Sequence, residues 1–124
     1  MSSIKPNYVR HLDLRNGLIE MTHGAGGLAS AQLIEEVFAK HFTNEWLDEG
    51  HDGAVLPALR KPVAVSCDSH VISPIFFPGG DIGRLAVCGT VNDVAMCGAK
   101  PLYIAASFIL EEGLALSALD KIVS

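Results

Sequence analysis

Phe76 to Gly113 runs FFPGGDIGRLAVCGTVNDVAMCGAKPLYIAASFILEEG, and its punctuation sets the reading of the whole chain. Asp81 is a helix-capping residue type and Gly98 a helix-stopping one, so Ile82 to Cys97 between them reads as a helix. The segment before it, Ser73 to Gly80, carries two prolines and two glycines and reads as a loop. Leu102 to Leu110 is a long apolar run expected as a strand, broken by Glu111-Glu112-Gly113. Ser117 is expected to cap a third helix, and Ser124 ends the chain about two turns into it.

Moving towards the N-terminus, Pro62 to Cys67 (PVAVSC) is Val-rich and reads as a strand, with Ala54 to Leu56 and Leu18 to Met21 as shorter ones. Residues 43–53 read as a polar loop. From Leu28 to Phe42 the apolar residues Leu28, Ala31, Leu33, Ile34, Val37, Phe38 and Phe42 recur mostly at steps of three and four, the period of an amphipathic helix. His23-Gly24-Ala25-Gly26-Gly27 is a turn feeding that helix. Residues 1–16 are expected to be a flexible leader, and 17–124 one domain.

Composition narrows the function. The net charge is −5, which argues against nucleic acid as the main ligand. No apolar run reaches the roughly 18 residues that span a bilayer, and Met1 to Arg15 has no signal-peptide core, so a cytoplasmic protein is expected. Cys67, Cys88 and Cys97 are odd in number and lack CxxC spacing; they read as reduced thiols, buried as small apolar residues.

The chemistry-bearing residues are carboxylates. At about 100° per residue, Ile82, Leu85, Ala86, Gly89 and Met96 share one face of the second helix, and Asp93 lies on that face. A helix apolar nearly all round is normally buried. A buried carboxylate must then be protonated, paired or bound to a cation; hydrogen bonding to Asn92 or nearby backbone is the plainer alternative. Gly89 opens space beneath Asp93 for a ligand or another backbone. Asp68 follows PVAVSC directly and Asp52 opens Asp52-Gly53-Ala54-Val55, so three carboxylates at element ends could meet at one Mg²⁺, or could be ordinary turn residues. The Gly24-Ala25-Gly26-Gly27 turn leads into a helix N-terminus, a setting that attracts phosphate, although a plain turn explains it equally. His51 and His70 lie beside candidate aspartates and could contact a substrate or be polar loop residues.

These motifs together resemble a family. FFPGGDIG, GTVNDVAMCGA and FILEEG, with His23 to Gly27, Asp52 to Val55 and Cys67-Asp68-Ser69, closely resemble the N-terminal domain of the HypE hydrogenase-maturation family within the aminoimidazole-ribonucleotide (AIR) synthetase-like, or PurM-like, superfamily. The likeness covers roughly Ile19 to the end. It implies an α+β fold, with a mixed or antiparallel sheet, helices on one face, and a shared barrel formed on dimerisation. It implies ATP and Mg²⁺ as cofactors, with Asp52, Asp68 and Asp93 as the acidic metal positions. Gly24, Ala25, Gly26, Gly27 and Asn92 join them as cofactor-binding residues.

The activity so implied is ATP-dependent dehydration of an S-carbamoyl group on a C-terminal cysteine to a thiocyanate, the source of cyanide for nickel–iron hydrogenase. The implied partners are a second copy of the chain, the carbamoyltransferase HypF and the HypC–HypD complex. The sequence departs from the family in having Ser124 rather than cysteine last, and no second domain. The expectation is an N-terminal domain truncated at its C-terminal end that alone forms little or no thiocyanate. The catalytic base is not identified. One alternative is another ATP-using relative of the selenophosphate synthetase, thiamine-monophosphate kinase or AIR synthetase type. The other is a non-catalytic dimerisation and docking module, which would form dimers without nucleotide affinity.

Overall fold

The computed structural model describes residues 10–51 and 53–124, which fall into two compact units. One unit holds the described residues up to His51 together with Ile109–Ser124; the other is Gly53–Phe108.

The first unit contains the buried core found among the described residues. After a 3₁₀ turn at Met21–Gly24, one helical run passes through α1 (Leu28–Leu33), a π-helical stretch (Ile34–Phe38) and α2 (Ala39–His41). Leu33 and Val37, four residues apart, point the same way and are buried. They cluster with Ile19 and with Leu116, Leu119 and Val123 of the C-terminal helix, α4 (Leu116–Val123). The backbone ties the chain's two ends together. Ile19 N–H donates to Leu114 O at 2.7 Å, Gly113 N–H to Ile19 O at 2.8 Å and Leu116 N–H to Gly17 O at 2.9 Å, flanking an antiparallel bridge between Leu18 and Ala115.

Residues 10–16 of the expected leader are held against this core. Leu12 and Leu14 pack on it, and the Glu36 carboxylate accepts from Leu12 N–H and pairs with His11 Nδ1.

Asp120 and Glu36, two of the three carboxylates of this unit held below their ordinary range (the third is the exposed Asp13), give it a pH dependence. Asp120 lies within 2.9 Å of His41 Nε2 and 3.0 Å of Lys40 Nζ. The hydrogen bonds from His41 and then Lys40 hold its carboxyl below the usual 3.8, against the opposing effect of burial. Burial alone would raise Glu36, but bonds from Gln32, the Leu12 N–H and His11 outweigh it and leave Glu36 below its usual 4.5. A depressed folded-state value means stability that is complete above the unfolded value and lost as pH falls through the folded one. Urea melts of the chain are therefore expected to lose stability progressively as pH drops below about 4.5. Asp120→Asn with Glu36→Gln should flatten that acid limb; an unaltered limb in the double variant would assign it elsewhere.

The second unit is built on one helix and a hairpin. β1 (Phe76–Phe77) and β2 (Gly80–Asp81) pair antiparallel, Phe76 opposite Asp81 and Phe77 opposite Gly80, around the Pro78-Gly79 turn. α3 (Ile82–Met96) follows directly. The Asp81 side chain caps it by accepting from Arg84 N–H at 2.9 Å, and Gly98, at φ +69°, ends it in a conformation glycine adopts without strain.

Several expected elements differ. The segments expected as strands at 54–56, 62–67 and 102–110 take no regular secondary structure and have no ladder partner among the described residues, and the one expected at 18–21 is reduced to the Leu18 bridge. Val-rich sequence favours extension, but a ladder needs a neighbour in register, which local sequence does not supply. The loop expected over Ser73 to Gly80 instead contains β1 and the start of β2. The last helix begins at Leu116 with Ala115 as its cap residue, not at Ser117, because the Ala118 and Leu119 N–H groups already donate to Ala115 O. No helix among the described residues is long and apolar enough to cross a membrane.

Candidate functional site

The extended segment before the hairpin lies along α3. Ala64, Ser66, His70 and Ile72 are part-covered while Val63, Val65, Cys67, Ser69 and Val71 are exposed, the alternation of a chain with one covered face. Asp68 falls on the same alternating register as Ser66 and His70, with its own side chain exposed. Two contacts fix the register on the helix. Ser66 Oγ donates to Asp93 Oδ2 at 3.2 Å. His70 lies over Gly89, with Nε2 at 2.8 Å from where a Cβ on that residue would stand. The segment and the helix therefore run in opposite directions, with Asp68 between the two contacts.

Asp93 is exposed, which corrects the expectation that it faces a packed interior. Its face of α3 is part-covered at Ile82, Leu85, Ala86 and Gly89 and opens at Asp93 and Met96, and no residue of α3 is fully buried. Composition fixed the helix as apolar all round, but not which length of it has a cover. The carboxylate consequently bears no burial cost that only a cation could offset. Its claim to a ligand rests instead on geometry, as a solvent-facing carboxylate oriented by the Ser66 hydroxyl. Gly89 likewise serves a protein group, the His70 ring, rather than an open space.

That contact has a measurable consequence. Replacing a helical glycine by alanine usually gains about 1 kcal/mol of propensity. At Gly89 the new methyl would meet His70, so Gly89→Ala is expected to show little or none of that gain in urea melts. Adding His70→Ala should restore it, and an equal gain with His70 present would deny the contact.

The other expected site residues are distributed as follows. Asn92 is exposed beside Asp93 on α3. Asp52 lies outside the described residues. His51 is exposed, with no hydrogen-bond partner among the described residues. In the first unit Gly24, Ala25, Gly26 and Gly27 form an exposed loop. Gly26 has φ +75° and its N–H donates to Ser30 Oγ at 2.9 Å. Gly27 is the cap residue of α1 and offers no side chain to the first-turn N–H groups. Cβ atoms at Gly24 and Gly27 would meet no protein atom, so packing does not explain glycine there. The expected convergence of Asp52, Asp68 and Asp93 involves Asp52 and so lies outside the described residues; among those, no group of three His, Cys, Asp or Glu side chains could hold a metal. The three cysteines are free but exposed, not buried. Ser66 was absent from the expected set; the period-two pattern of Ala64 to Ile72 was the signal that placed it on the Asp68 side.

Comparison with known proteins gives the family. The AIR synthase related protein, N-terminal domain family matches residues 50–124. The carbamoyl dehydratase HypE of Azotobacter vinelandii is 62% identical over 112 residues, 90% of this chain and 33% of the relative. The carbamoyl dehydratase HypE of Cupriavidus necator is 58% identical over 123 residues, 98% and 35% respectively. The hydrogenase expression/formation protein HupE of Azotobacter chroococcum is 61% identical over 112 residues, 90% and 33%. The chain thus spans about a third of the length of these curated relatives. A crystal structure of hydrogenase maturation protein HypE in complex with ATP matches with a TM-score of 0.78 and 53% identity, over 82% of this chain and 30% of that one. The mixture of helices and antiparallel pairing therefore matches the fold of that HypE structure.

Proposed function

The chain belongs to the AIR synthase related protein, N-terminal domain family, and from that premise we propose that it is the ATP-binding and dimerisation part of a carbamoyl dehydratase of the HypE kind. In that activity an S-carbamoyl group on a cysteine loses its oxygen to ATP-derived phosphate and becomes a thiocyanate, destined for the cyanide ligands of nickel–iron hydrogenase. The names of the relatives and the ATP complex of the structural neighbour support the reading. The observation in this chain that carries it is the Asp93 carboxylate, exposed and hydrogen-bonded by Ser66, two residues before Asp68 in the neighbouring segment.

These donors suit magnesium. Mg²⁺ takes oxygen ligands, commonly one or two carboxylates with phosphate oxygens and water completing the shell. Asp93 and Asp68 would hold it, with Asp52 as the third acidic position and Asn92 as a polar neighbour to the nucleotide. Bound Mg²⁺-ATP supplies the activation that an amide oxygen, a poor leaving group, requires. Ser66 holds one oxygen of Asp93, and the other would be free to meet such an ion. The glycine loop at Gly24 to Gly27 is proposed separately as a phosphate contact, supported by its open backbone and uncapped first turn.

Dimerisation is supported by extended segments that expose Val63, Val65, Leu102 and Ile104, residue types that ordinarily lie in a sheet. A second copy pairing along them would give the shared barrel of the family. The HypF and HypC–HypD partners are proposed on resemblance alone.

Isothermal titration with ATP, with and without MgCl₂, tests the proposal alongside sedimentation. Magnesium-dependent ATP binding by a dimer is expected. Dimers that take up no heat on ATP addition would replace it with the docking-module reading.

A further inference from the structure

We propose that Ser66 is a positioning residue for Asp93: its hydroxyl turns one carboxylate oxygen towards the protein and leaves the other directed outwards for the cation that accompanies the nucleotide. The inference deepens the function proposed above and rests on it.

Ser66 and Asp93 are 27 residues apart, so their bond is a product of packing and not of a local turn. The bond engages Oδ2 at 3.2 Å, and among the described residues Oδ1 has no hydrogen-bond partner. A surface carboxylate without a partner samples several orientations. One donor on Oδ2 narrows that range and commits Oδ1 to solvent. Groups that hydrogen-bond a metal-ligating side chain in this way set its direction, and their loss weakens the metal.

The register that brings the hydroxyl there is held at a second point. The His70 ring rests on the bare Cα of Gly89, one helical turn before Asp93. A slip of one residue would rotate Ser66 to the exposed face and bring Val65 or Cys67 against the helix in its place. Neither offers a comparable donor to a carboxylate. The same register puts Asp68 between the two contacts, with its side chain exposed.

The test uses the intact protein and the variants Ser66→Ala, Ser66→Thr and Asp93→Asn, titrated with ATP in excess MgCl₂ and again in EDTA. Ser66→Ala is expected to weaken binding in magnesium roughly three- to tenfold. In EDTA it should stay within about twofold of the parent, and Ser66→Thr, which keeps the hydroxyl, should recover magnesium-dependent binding to within about twofold. A purely structural loss would weaken both titrations equally, and that result overturns the proposal. Parent-like Mg²⁺-ATP binding by Ser66→Ala, beside a loss in Asp93→Asn, overturns the role of Ser66 alone. Parent-like binding by Asp93→Asn overturns the site itself and this inference with it.

Discussion

Leu119→Ala is expected to destabilise the chain by about 3 kcal/mol, within the 2 to 5 kcal/mol typical of such a truncation in a packed core. Leu119 is 1% exposed, Val37 0% and Leu116 2%, the most completely buried side chains among the described residues. α4 spans eight residues, too few to be helical alone in water, so its existence depends on the faces of Leu116, Leu119 and Val123 against the core. Removing the centre of that triplet leaves a cavity and weakens the helix's apolar anchorage, which the Asp120 bonds to His41 and Lys40 only supplement. A domain of this size has about 5 to 15 kcal/mol in total, so the loss is a large share. With a urea m-value of about 2 kcal/mol/M, the midpoint should fall by roughly 1.5 M. Ser117→Ala, exposed on the same helix, is the control and should remain within about 0.5 kcal/mol. A Leu119→Ala midpoint matching that control would remove α4 from the core.

The same helix shows what the sequence could convey. Ser117 was expected to cap it. The choice of Ala115 depends on backbone bonds from Leu116 to Gly17 and from Ala118 and Leu119 to Ala115, which tie the helix start to a strand-like segment a hundred residues earlier. Cap preference is worth about 1 kcal/mol, and the burial of Leu116 outweighs it. Helices with local signals at both ends fared better. The run from Leu28 ends at His41, one residue short of the expected Phe42, and α3 ends at Met96, one short of Cys97. Asp81 and Gly98 are local signals, and they held. The extended segments had no such punctuation for their partners, because pairing is a property of the neighbour.

The site was legible by a different route from the one the residues first offered. Burial of Asp93 was the physical argument from sequence, and exposure of that side chain removes it. What survives is a registry that burial reasoning never addressed: Ser66 on Asp93 and His70 on Gly89. Both depend on two distant segments lying side by side, which periodicity alone cannot pair. Motif resemblance named Asp68 and Asp93 as acidic positions by a separate route, since a family pattern carries information that a single helix does not.

Asp93→Asn is expected to lower the affinity for Mg²⁺-ATP by about 10- to 100-fold, or roughly 1.4 to 2.8 kcal/mol. Loss of groups that merely hydrogen-bond a metal ligand already costs this much elsewhere, so loss of the charged ligand itself should cost no less. The substitution keeps shape, and its amide oxygen can still accept from Ser66 Oγ, so the exposed position should change folding stability by no more than about 0.5 kcal/mol. Binding and stability are thereby separated. The sign without magnesium is the discriminating feature. A carboxylate facing unneutralised phosphates repels them, so Asp93→Asn in EDTA should bind ATP as well as the parent or better. Weakening to the same degree in both conditions would mean that the side chain contacts the nucleotide directly. If neither titration changes, position 93 is a surface residue of α3 whose hydrogen bond to Ser66 serves only to hold the segment in place.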